Sequence, residues 1–148
     1  MYLNQWQRLL GDYWLIVHVV RNSLDTVASM KKVKFPLTIP SVLEERIAFY
    51  LRYVNAGLRF GADYPDRYFR VVYEQLVASP RPVLNEMMAF LEETLEEGQL
   101  KFNESFRQPG LEDPKIAGTR RTHDEAVGQW RKTLTRDEAR TVWRKTRR

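Results

Sequence analysis

Between Leu15 and Val20 the chain reads LIVHVV, five aliphatic side chains interrupted only by His18. A run this short, apolar and β-branched predicts a strand covered on both faces, the habit of parallel sheets. Arg21 then stands at the strand's carboxyl end, and Asn22 or Ser23 can cap a helix through about Lys34, with Leu24, Val27 and Ala28 turned to the sheet. Ligands of open α/β sheets lie beyond such ends, where the next helix adds amide donors and the positive end of its dipole. A guanidinium there offers paired, permanently charged donors to a phosphate, and Ser29, eight positions on, adds a hydroxyl. Taken alone, the segment reads equally well as a surface arginine followed by an ordinary helical serine.

Downstream, Pro36 and Pro40 mark a loop and Ser41-Val42-Leu43-Glu44 has the form of a capping box. Leu43, Ile47, Tyr50, Leu51, Val54 and Leu58 then recur at helical spacing up to Gly61. A turn at Asp63-Tyr64-Pro65-Asp66 leads to a second strand, Tyr68 to Val72, and Pro80 and Pro82 open a helix to about Glu93. Residues 94 to 118 are the least patterned portion. Thr135-Arg136-Asp137-Glu138 starts a last helix with Ala139, Val142 and Trp143 as its apolar stripe. Strands joined through long helical crossovers pair in parallel and place the chain in the α/β class as one domain.

Three segments in order resemble the sulfotransferases that use 3′-phosphoadenosine 5′-phosphosulfate as sulfuryl donor. R-N-S-L-D-T-V-A-S, from Arg21 to Ser29, is similar to the family's clamp on the donor's 3′-phosphate. YFRVVYEQLVASPRPVLNEMMAFLEE, residues 68 to 93, resembles its second strand and Tyr-Glu-x-Leu turn, which implies that Tyr73 lies against the donor nucleotide. GTRRTHDEAVGQWRKTLTRDEARTVW, residues 118 to 143, resembles the closing segment, in which Arg120 and Arg121 are the basic candidates for the same phosphate, although the Arg-Lys-Gly triplet of cytosolic members is missing. The implied fold is α/β, a partial three-layer parallel sheet flanked by helices, P-loop-NTPase-like but without its first strand-loop-helix. That expectation follows from the seven glycines, which are scattered singly and form no Gly/Ser/Thr-rich loop able to aim consecutive amides at a 5′-phosphosulfate. Residues 1 to 13 read as one short helix, with Leu3, Trp6, Leu9 and Leu10 on a face, ending at Gly11. The expectation is a carboxyl-terminal portion of a larger enzyme, inactive alone.

The resemblance implies transfer to a hydroxyl or amine acceptor, a glycan or small molecule among the choices, and it leaves the acceptor open. A base must take the acceptor's proton. His18 sits in the apolar strand and reads as a satisfied core histidine, His123 beside Asp124 as a polar loop residue, and Glu74 as a structural acceptor, so no catalytic residue is assigned. No metal is expected, since no His, Asp and Glu have ligand spacing and cysteine is absent. Lack of cysteine, of a long apolar run and of a signal-like start fits a cytoplasmic protein, with a Golgi anchor upstream as the competing arrangement. Residues 119 to 148 carry ten Lys and Arg against four Asp and Glu, while the rest nets −1 within the overall +5. Two other readings therefore stand: a degenerate, non-catalytic interaction module, and a basic nucleic-acid-binding α/β protein, ranked last because the tail lacks aromatic-basic alternation.

Overall fold

The computed structural model describes residues 3–11, 14–32, 39–101 and 126–147. Two parallel strands, β1 (Ile16–Val20) and β2 (Tyr68–Val72), pair from Ile16↔Tyr68 to Val20↔Val72. Between them run α2 (Ser23–Lys32) and α3 (Leu43–Asp63), preceded by α1 (Leu3–Leu10). After β2 come α4 (Tyr73–Ala78), α5 (Pro80–Phe90) and α6 (Glu97–Leu100), and at the end α7 (Trp130–Thr133) and α8 (Arg136–Thr146).

Alternation along the strands sends Ile16, His18 and Tyr68 to one face and Val19, Phe69 and Val71 to the other. The first face packs on α3, where a Cβ added to Gly57 would overlap the His18 ring and one added to Gly61 the Tyr68 ring. Both glycines are there because backbone and ring meet directly. On the second face Phe69 stacks on Phe90 of α5 at 5.4 Å between centroids, and Val71 is buried. Helices thus flank a small parallel sheet, as an α/β chain requires. On the second face α5 packs on β2, and the described residues do not cover β1 on both faces, since Val19 is 53% exposed.

Leu24, Val27 and Ala28 face away from the expected layer. Val27 and Ala28 are buried with Ile47 of α3, Leu134 and Val142, so α2 packs into a helical core built with α7 and α8. The apolar faces of four helices meeting there remove more surface from water than a two-stranded sheet edge can offer. The box at Ser41 does not form: Val42 occupies the cap of α3 with no side-chain bond, and the amide of Arg46 donates to the Val42 carbonyl at 3.1 Å. That of α8 does form, with the Glu138 amide donating to Thr135 Oγ1 at 3.2 Å and the Thr135 amide to Glu138 Oε2 at 2.7 Å. Its stripe contains Ala139 and Val142, whereas Trp143 is exposed.

Candidate functional site at the strand ends

The register Val20↔Val72 brings the two following residues, Arg21 and Tyr73, out at the same end of the sheet. The Arg21 guanidinium lies over the Tyr73 ring, 5.0 Å from its centroid. One terminal amine, Nη2, donates to the carbonyl of Ala126 on the C-terminal segment, and the backbone carbonyl of Arg21 accepts from the Tyr50 hydroxyl at 3.0 Å. Nε is buried and has no hydrogen-bond partner among the described residues. A buried guanidinium N–H without an acceptor is costly, and such a group calls for a water, an ion or a ligand atom.

Arg21 and Ser29 line one cleft of about 350 Å³ between β1, α2 and α3, together with His18 and Thr26 and an aromatic wall of Phe49 and Tyr50. Ser29 is there because β1 ends at Val20, α2 begins at Ser23, and the positions from Ser23 to Ser29 carry the chain a little under two helical turns along it. Tyr73 is the first residue of α4, and its phenol is raised by burial, against the Arg21 guanidinium and with the carboxylates of Glu74 and Asp25 adding to the rise. It is a neutral donor over the ordinary pH range. Arg120, Arg121 and His123 lie outside the described residues.

A polar network not legible in the sequence stands behind Arg21. Asn22 caps α2 by accepting from the Asp25 amide at 2.8 Å, and its own side-chain amide donates to Asp25 Oδ2 at 2.8 Å and Glu74 Oε1 at 2.6 Å. Glu74 also accepts from the Asn22 backbone amide at 3.0 Å, the structural role expected of it. Asp25, 1% exposed, accepts from the amides of Gly128 at 2.8 Å and Trp130 at 2.9 Å. In sequence Asp25 is only an acid in the first turn of a helix, and nothing local announces partners more than a hundred positions away. His18 is half-buried, with Nδ1 2.5 Å from the Tyr68 hydroxyl, and burial together with the Arg70 guanidinium lowers its pKa. Among the described residues no three His, Asp or Glu side chains gather to hold a metal, and no helix is long and apolar enough to cross a membrane.

This chain is similar in fold to the sulfotransferase domain from the Synechococcus PCC 7002 olefin synthase, at TM-score 0.74 and 22% identity over 91% of this chain and 50% of that one. It is also similar to the sulfotransferase domain from the curacin biosynthetic pathway, at TM-score 0.65 and 18% identity over 88% of this chain and 52% of that one. The chain therefore spans about half the length of each solved domain. No curated protein matches it. The family model of the sulfotransferases matches residues 14–97, a stretch holding both strands, α2, α3 and the positions Arg21, Ser29 and Tyr73. With more than half its length inside that match, the chain belongs to the sulfotransferase family.

Proposed function

We propose that the chain binds the 3′-phosphoadenosine part of 3′-phosphoadenosine 5′-phosphosulfate, in a sulfotransferase that transfers the sulfuryl group to a hydroxyl or amine acceptor. The observation that carries this reading is the shared cleft of Arg21 and Ser29, with a buried Arg21 Nε that has no partner among the described residues. Arg21 supplies fixed positive charge and directional donors, as phosphate recognition demands. Ser29 adds a hydroxyl donor without further charge. Tyr73 backs the guanidinium through its ring face and keeps its phenol neutral. Arg120 and Arg121 are proposed as further contacts to the same phosphate. The donor, when bound, supplies an activated sulfuryl group, and the part of these residues is to hold and orient its nucleotide end. Activity as a transferase requires a 5′-phosphosulfate loop in addition to these residues.

Calorimetry with adenosine 3′,5′-bisphosphate tests the reading. Loss of a hydrogen bond to a charged group costs about 1.5–3 kcal/mol, so Arg21→Ala is expected to weaken binding roughly tenfold or more. Ser29→Ala, which removes an uncharged donor, should cost about 0.5–1.5 kcal/mol. Equal affinity before and after Arg21→Ala overturns the assignment. Adenosine 3′-monophosphate should also bind more tightly than the 5′-monophosphate, a preference that general attraction of nucleic acid to a basic surface does not produce.

A further inference from the structure

Arg21 is held by a piece of chain that is itself held by Asp25. We propose that Asp25 is a positioning residue for the phosphate site: by pinning the 126–130 strap it places the Ala126 carbonyl that orients the Arg21 guanidinium.

Asp25 is the one buried charged side chain among the described residues, and all three hydrogen bonds to it come from N–H donors, those of Asn22, Gly128 and Trp130. Such a set needs a carboxylate. An asparagine has a single acceptor oxygen, and its amide nitrogen would face a donor where Asp25 presents its second oxygen. A buried carboxylate is costly unless its hydrogen bonds are made, so the strap cannot leave without stranding a charge. Gly128, at φ +80°, gives the strap the left-handed turn that lets its amide and that of Trp130 point at the same carboxylate. Two residues before that turn, the Ala126 carbonyl accepts from Arg21 Nη2. At the other end of the network, Glu74 grips Asn22 by both backbone and side chain, which ties the first turn of α2 to the residue beside Tyr73. The guanidinium is thus fixed from two sides, by the strap at Nη2 and by the Tyr73 ring beneath its plane. Its position over Tyr73 is set before any ligand arrives, and preorganised donors lose less freedom on binding.

This proposal rests on the reading of Arg21 as a phosphate ligand only for its consequence in affinity, so two readouts separate the failures. The first needs no nucleotide: in nitrogen-resolved NMR of the chain, the Arg21 Nε–H resonance should shift and broaden in folded Asp25→Asn. An unmoved resonance overturns the proposal. The second is a double-mutant cycle with adenosine 3′,5′-bisphosphate. Asp25→Asn should weaken binding roughly threefold to tenfold, as expected for one uncharged hydrogen bond's worth of orientation. Added to Arg21→Ala it should weaken binding no further. The same fold loss in both backgrounds marks a merely structural residue and sinks the proposal, whereas an ineffective Arg21→Ala sinks the phosphate reading and leaves the NMR result standing. If Asp25→Asn does not fold, hydrogen exchange in the unaltered chain decides. Slow exchange at the Gly128 and Trp130 amides is expected, and exchange at the rate of open chain at both overturns the clasp.

Discussion

The two ends of α2 are built on different physics. From Val27 onward the helix is buried by apolar contact with Ile47, Leu134 and Val142, which has no direction and tolerates any side chain of suitable volume. Its first turn, from Asn22 to Asp25, is buried by hydrogen bonds whose donors and acceptors are matched atom for atom to Glu74, Gly128 and Trp130. The apolar end decides how firmly the C-terminal helices stay on the domain. The polar end decides where a particular nitrogen of Arg21 points. One helix can therefore lose stability without moving Arg21, or release Arg21 without losing much stability.

Ile47→Ala is the strongest way to break that separation. Removing a buried isoleucine side chain from the helical core should cost about 2–5 kcal/mol, read as a fall in the urea midpoint. Nucleotide affinity corrected for the folded fraction should stay within a factor of about two, well inside the tenfold that 1.4 kcal/mol represents. A parallel loss of affinity in folded molecules would merge the two ends into one device. Gly57→Ala probes the same helix α3 on its sheet side, where the added methyl overlaps the His18 ring. Overpacking of that kind costs about 1–3 kcal/mol, measured by the same unfolding curve. An unchanged midpoint would mean that ring and helix do not touch.

Much of the fold was legible because its signals are local. The turn at Pro65 and the strand Tyr68–Val72 appear where the breakers and β-branched residues put them, and the Thr135 to Glu138 pattern makes both bonds of its box. Arg21, Ser29 and Tyr73 could be singled out because their spacing along one strand and helix is itself a geometry, and the register Val20↔Val72 carries Tyr73 to Arg21. What could not be read depends on partners distant in the chain. Leu24, Val27 and Ala28 form a correct apolar stripe whose direction is fixed by α3, α7 and α8 together. Val19 belongs to a continuous apolar run, yet no described residue covers it to the extent the run implies. Ser41 carries a capping sequence that loses to Val42, a case where the local pattern alone misplaces the cap by one residue. Asp25 is the extreme example, since a first-turn acid is ordinary chemistry for a helix dipole and its true partners are 103 and 105 positions away.

The smallest expected effect lies between the two regions, at His18, whose ring lines the cleft on one side and meets α3 on another. Burial, reinforced by the neighbouring Arg70 guanidinium, lowers its pKa below the ordinary 6.5, so the folded chain favours the neutral imidazole. The unfolded chain then binds this proton more readily than the folded one, and stability rises with pH across the interval between the two values. His18 thus stabilises fully above about pH 6.5 and does so less as pH falls through its lowered value. Carboxylates such as Glu138, whose pKa is lowered by its bond from Lys31, give their own loss at more acid pH. Comparison with His18→Gln isolates the histidine, because glutamine offers both a donor and an acceptor to the Tyr68 hydroxyl and does not titrate. Urea midpoints from about pH 8 to about pH 5 should diverge only on the acid side, the unaltered chain falling more steeply below the ordinary 6.5. Parallel curves would show that water reaches the ring freely, and that the glycine face of α3 does not dry the sheet as its close packing demands.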